Sequence, residues 1–228
     1  MPRPRRGRLD LRVERDDNQS MSEDVRRYAP AAARNRGPIL RVLQSHLPSR
    51  GLILEVASGS GEHVVHFAKA SGSDLVFQPS DPEPGARASI DAWVTTLGLP
   101  NVRPTIALDA SSDCWPIPRA DGVICINMIH IAPWAATVGL LSGAARLLPL
   151  GGMLYLYGPF RRDSRHTAPS NEAFDQDLRT REPAWGVRDI EAVVALAQTC
   201  GFAHPLVEAM PANNLSLVFR LRTTSGGA

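Results

Sequence analysis

From residue 38 onward the chain alternates short, almost wholly apolar runs with longer segments whose apolar residues recur at helical spacing, and few architectures accommodate that alternation. A run that is apolar at odd and even positions alike must be buried on both faces, the situation of a central strand in a parallel sheet. The helical segments between such runs are then the crossovers that parallel pairing requires. Pro38 suits the first turn of a helix with an apolar face of Ile39, Leu40, Val42, Leu43 and Leu47, ending before Pro48. The pattern next predicts strands at 52–56, 75–77, 102–108, 122–126 and 152–157, and helices at 61–70, 86–97, 134–148 and 187–200, the last stopped by Gly201. Two further β runs, 202–209 and 215–221, flank the turn-forming Pro211-Ala212-Asn213-Asn214. The expectation is one α/β domain over 21–228: a seven-stranded, mostly parallel sheet with helices on both faces and a C-terminal antiparallel hairpin.

The chemistry concentrates where the first strand meets its helix, in Glu55-Val56-Ala57-Ser58-Gly59-Ser60-Gly61-Glu62-His63. Glycines at such a bend let backbone N–H groups approach a ligand, and the helix N-terminus adds a favourable dipole. Asp81 follows Gly61 by twenty positions, just past the second strand, where a carboxylate accepts from both hydroxyls of a ribose. Asp109 ends the third strand and, in the same topology, faces an adenine edge. A nicotinamide-dependent oxidoreductase is the competing reading, but its fingerprint would carry a third glycine at position 64, where Val64 stands and argues against it.

At these residues the sequence resembles a class I S-adenosylmethionine-dependent methyltransferase, whose first motif is an acid followed by spaced glycines. Glu55 fills the acidic place, Ala57 replaces the first glycine, and Gly59 and Gly61 fill the next two. An alanine is at ease there only with a negative φ. Further motifs, 30–38 with Arg34 and Asn35, Asn127-Met128-Ile129-His130-Ile131-Ala132-Pro133-Trp134, Tyr157-Gly158-Pro159-Phe160, 170–174 and 185–189, resemble the methyltransferase-like 26 family, formerly the domain of unknown function 938, over roughly residues 28–222. The resemblance implies a Rossmann-like class I methyltransferase fold and S-adenosyl-L-methionine as cofactor. It implies that Glu55, Ala57, Gly59, Ser60 and Gly61 shape the pocket for the amino acid end. Asp81 would hold the ribose, Asp109 with Ala110 the adenine, and Asn127 would sit beside the methionine moiety. Arg34 and Asn35 would close the pocket.

Methyl transfer displaces a thioether from a sulfonium carbon, so the protein aligns two reactants and, where needed, removes a proton. His130, just beyond the fourth strand, is the candidate for that proton or for orienting the acceptor, and Tyr157, like Tyr28, offers a hydroxyl or a π face. Arg161, Arg162, Arg165 and His166, in a polar insertion spanning 161–185, suit either an anionic acceptor or a solvated lid. A catalytically silent cofactor-binding scaffold is the third function class.

Charge excludes some partners. Lys+Arg 25 against Asp+Glu 23 leaves +2, too little to drive binding to nucleic acid or anionic membrane, and nothing resembles the Asn-Pro-Pro-Tyr signature of base methylation. A small-molecule acceptor is expected, with no metal. Residues 1–20 alternate arginines and acids with little apolar content and are read as a disordered basic tail, with Met21 an alternative start. Three scattered cysteines without a C-x-x-C pair, no apolar run of membrane length and acids among the early arginines give a cytoplasmic expectation.

Overall fold

The computed structural model describes residues 24–222; the tail expected at 1–20 and the start at Met21 lie outside them. Its centre is a six-stranded sheet. Strands β1 (Gly51–Val56), β2 (Leu75–Ser80), β3 (Gly122–Ile126) and β4 (Met153–Gly158) run parallel in the order β2-β1-β3-β4. Between β4 and the C-terminal strands the chain forms three short ones, β5 (Phe160–Arg162), β6 (Arg165–His166) and β7 (Arg188–Asp189). β8 (Leu206–Met210) and β9 (Asn214–Arg220) complete the main sheet, β9 antiparallel to both β4 and β8.

The apolar runs are buried on both faces, as their composition requires. Leu52, Leu54, Val56, Val123 and Cys125 pack under α4 (Trp134–Leu147) and α6 (Ile190–Thr199). Ile53, Ile124, Ile126, Tyr155 and Tyr157 face the opposite layer of α1 (Pro30–Gln44), α2 (Glu62–Ala70) and α3 (Pro84–Leu97). Truncating any of the fully buried leucines, such as Leu54, to alanine costs about 2–5 kcal/mol, so this sandwich is what holds the strand ends rigid.

Three details depart from the sequence pattern. Residues 102–108 do not form a strand: they meet β2 only through the isolated bridges Phe77↔Val102 and Ser80↔Ile106. Pro104 lies between those bridges and Pro79 opposite them, and neither has an N–H to complete a ladder, so the count among the described residues is six. The first helix begins at Pro30, not at Pro38, and runs through Pro38. Pro30 occupies the first turn, three alanines follow, and the Ala29 N–H that the turn would leave unsatisfied donates to Glu62 Oε2 at 2.5 Å. The polar insertion is folded: β6-β5-β7 form a small sheet beside α5 (Pro169–Arg181). No helix among the described residues is long and apolar enough to cross a membrane.

Candidate active site

With β2 on one side of β1 and β3 on the other, the chain reverses direction across the sheet between β1 and β3. The loops leaving those two carboxyl ends part there, opening a crevice. The bend after β1 forms its floor. Ala57, Gly59 and Gly61 all have positive φ, 58°, 57° and 91°. Gly61 is required twice over, since an added Cβ would stand 2.9 Å from the Ile90 Cα of α3, whereas space in front of Gly59 is open. Ala57 adopts the left-handed conformation despite its Cβ, at a cost of about 1–2 kcal/mol. Hydrogen bonds hold the bend in place: Ser58 N–H donates to Ser80 O at 2.8 Å, and Ser80 Oγ donates to Glu55 O at 2.7 Å.

Asp81, at the end of β2, is fixed from two sides. Its Oδ2 accepts from the Gly59 N–H and its Oδ1 from the Glu83 N–H, each at 3.0 Å. Its remaining lone pairs border a cleft of about 200 Å³, room for a purine base with part of its sugar. Ala57, Asp109 and Ala110 border the same cleft, and Leu108, Met128, Ile131 and Ala132 supply apolar walls. One Asp109 oxygen is occupied by the Ser111 N–H at 2.8 Å and the Ser111 hydroxyl at 2.7 Å.

On the sheet face that carries Ile53 and Tyr157, the second half of the site is polar and closed. Glu55 is 2% exposed and its Oε2 has no partner. Burial, reinforced by the nearby charge of Asp81 and opposed by a hydrogen bond from Ser58, pushes its pKa up to about 8. Such a carboxyl holds a proton or takes a cation. Above it, α1 and α2 meet through Asn35, whose Oδ1 accepts from His63 Nε2 at 2.8 Å. Burial, aided by the nearby His66 and Arg36, pushes His63 down to about 4 and keeps it neutral. The Tyr157 hydroxyl accepts from Asn214 Nδ2 at 3.0 Å, and burial raises its pKa. Glu62 also accepts from Ser60 Oγ at 3.1 Å, which ties the start of α1 to the bend.

Asn127 caps β3 with φ 61°, its N–H donating to Tyr157 O at 2.8 Å. One turn on, His130 is completely buried against Phe160, the ring centroids 4.9 Å apart. Its Nδ1 accepts from the Arg188 N–H at 3.3 Å, so the proton of the neutral ring sits on Nε2, which has no partner. Burial, then the charge of Arg188, push its pKa down to about 3. The Arg188 guanidinium gathers the carbonyls of Ile129, Ala132 and Ala184 at 2.7–2.9 Å and fixes this loop. Only glycine fits at 158, where a Cβ would lie 2.4 Å from His130 Nε2.

The site residues read from the sequence therefore fall into two adjoining groups. Ala57, Asp81, Asp109 and Ala110 surround the cleft; Glu55, Asn35 and Tyr157 share the closed half; Gly59, Ser60 and Gly61 lie in the bend between them, and Asn127 and His130 stand at the β3 end. Arg34 is exposed on α1, and Tyr28 is 61% exposed, its ring against Trp93 at 5.1 Å. Of the arginine cluster, Arg161 pairs with Asp189 at 2.8 Å. Reading the sequence assigned no individual role to Glu62, His63, Arg188 or Asn214. Glu62, next to Gly61, carried a visible signal, an acid in the first turn of the helix; Asn214 has only the look of a turn former.

Solved structures that share this fold include methyltransferases. The apo form of SibL, an S-adenosylmethionine-dependent methyltransferase, superposes with TM-score 0.70 at 21% identity, over 85% of this chain and 56% of SibL. An O-methyltransferase family protein from Burkholderia thailandensis gives 0.69 at 16%, covering 86% of this chain and 60% of that one. A putative sarcosine dimethylglycine methyltransferase from Galdieria sulphuraria gives 0.66 at 12%, covering 87% and 92%. The chain thus has the α/β fold of S-adenosylmethionine-dependent methyltransferases and spans a little over half the length of the first two. It belongs to the family described as "Protein of unknown function (DUF938)", whose model matches residues 26–221.

Proposed function

We propose that this protein is an S-adenosylmethionine-dependent methyltransferase acting on a small molecule. The observation that carries the reading is the pairing of an immobilised carboxylate, Asp81, with a buried one, Glu55, whose Oε2 has no partner, on either side of the glycine bend. A ribose and an ammonium group at opposite ends of one ligand match those two positions. The names of the structural neighbours and the motif resemblance to the methyltransferase-like 26 family point the same way.

In this reading Asp81 accepts from the ribose hydroxyls, while Asp109 and Ala110 meet the adenine edge between Leu108, Met128 and Ile131. Glu55 takes the ammonium of the methionine end beside Gly59 and Asn127, and Asn35 closes the pocket from α1. The bound cofactor supplies a methyl on a sulfonium, electrophilic without further activation. What remains for the protein is to exclude water and align the acceptor, the work of Tyr157 and His130 at the ends of β4 and β3. A thermal-shift and calorimetric comparison of S-adenosylmethionine, S-adenosylhomocysteine and NAD(H) tests this. Micromolar binding of the first two, lost in Asp81→Ala, is expected; saturation by the pyridine nucleotide alone overturns it.

A further inference from the structure

Residues 26–29, just before α1, cross α3 and reach both loops that carry the cofactor groups. The hydroxyl of Ser89, completely buried in α3, accepts from the Arg27 N–H at 2.7 Å and donates to Ser60 O at 2.8 Å. Two residues on, the Ala29 N–H and the Ser60 hydroxyl share Glu62 Oε2, so residue 60 of the bend is tied to this segment twice. The Arg27 guanidinium forks onto the Glu83 carboxylate, Nη2 donating to Oε1 at 2.8 Å, and the Glu83 N–H in turn donates to Asp81 Oδ1. Trp93 of α3 keeps the segment in place: its Nε1 donates to Arg27 O at 3.1 Å, and the Arg26 guanidinium lies over its ring at 4.9 Å. Arg27, Ala29, Glu83 and Ser89 all stand outside the cleft itself.

Resting on the methyltransferase reading, we infer that Arg27 and Ser89 are positioning residues for the cofactor. From outside the cleft they brace the two loops that meet it, the Gly59–Gly61 bend through Ser60 and the Asp81 loop through Glu83, at the spacing the bound molecule requires. Loops that must first be ordered by the ligand lose affinity, and the brace orders them beforehand. Its two ends differ in strength. The Ser89 relay is buried, and alanine there removes both of its bonds at once; the Arg27–Glu83 pair is about half exposed on each side, so salt screens it. Because entry to the cleft does not pass the brace, association is insensitive to it and dissociation carries the effect.

Surface plasmon resonance of S-adenosylhomocysteine over the immobilised full chain, run beside thermal unfolding, tests this. Ser89→Ala should release the ligand roughly 10-fold faster, the effect of one hydrogen bond, with its association rate unchanged. Gly85→Ala separates positioning from stability. An added Cβ there would overlap the Arg27 guanidinium and Glu83 Oε1 and open the fork, whereas alanine in the first turn of α3 favours the helix. Its Tm should therefore not fall, yet dissociation should be about 2- to 5-fold faster at low salt, and the difference from wild type should vanish at about 1 M salt. Dissociation from either variant at the wild-type rate, or a Gly85→Ala effect that persists at high salt, overturns the inference; if Ser89→Ala does not fold, Gly85→Ala decides alone. Failure of the wild type to bind S-adenosylhomocysteine overturns the methyltransferase reading instead.

Discussion

Replacing Glu55 by glutamine keeps the side chain's shape and removes its titration, and the structure fixes how stability should respond. Burial holds the Glu55 pKa at about 8 in the folded chain, against 4.5 for the ordinary side chain. Below pH 4.5 the carboxyl is protonated folded or unfolded and imposes no penalty. Between pH 4.5 and 8 the unfolded chain ionises while the folded chain keeps its proton, so stability is lost as pH rises, by about 1.4 kcal/mol per unit. At neutral pH the loss is on the order of 3 kcal/mol, or roughly 6–12 °C in Tm for a domain of this size. His63 and His130, whose pKa values are lowered to about 4 and about 3, act in the opposite sense at acid pH, but both proteins contain them and they cancel in the comparison. Scanning calorimetry of wild type and Glu55→Gln should therefore show Tm curves close together near pH 5 that diverge toward pH 8, the variant on top. A constant offset from the new amide does not matter; the slope does, and parallel curves across that range would refute the buried-carboxyl argument. The same proton must leave when a cationic ligand end arrives. Affinity for S-adenosylmethionine should rise toward pH 8 in the wild type with net proton release, and be weak and pH-insensitive in the variant.

Other substitutions test other parts of the site. Asp81→Asn keeps the size but removes a charged acceptor from the cleft, and should weaken S-adenosylhomocysteine binding by about 10- to 100-fold in calorimetry; because the amide can keep only one of the two backbone N–H bonds, the free protein should also lose about 1–3 kcal/mol of stability. Ala57→Gly relieves a positive φ of 58° and should raise stability by up to about 1 kcal/mol in urea unfolding, with cofactor affinity retained. Gly61→Ala must push its Cβ into the Ile90 backbone 2.9 Å away at φ +91°, so a loss above about 2 kcal/mol and of cofactor binding is expected; a neutral result would mean that the bend is not as tightly packed as described.

The sheet was readable because its information is local. Runs such as Gly122–Ile126 are apolar at every position, and burial on both faces is the only stable use of them. Where the reading failed, the deciding contacts came from elsewhere in the chain. Residues 102–108 have strand-like composition, but pairing depends on what lies opposite, and there Pro104 and Pro79 withhold two donors from one ladder. Pro38 looks like a helix start because a proline is cheapest there. Glu62, distant in sequence, satisfies the earlier turn instead and lets the helix begin at Pro30.

The site divides in the same way. Its cleft half is built from the carboxyl ends of β1 and β2 and from the segment that follows residues 102–108, so the spacing from Gly61 to Asp81 to Asp109 located it. Its closed half draws Asn35, His63, Tyr157 and Asn214 from two helices and two strands, and no spacing rule links residue 35 to residue 214. His130 shows the consequence. A histidine near a strand end invites the role of base; the backbone N–H of Arg188, 58 residues away, fixes its tautomer and leaves a donor. Sequence names the residue type, but the partner on the other ring nitrogen decides its chemistry, and in this fold that partner arrives through the insertion between β4 and α6.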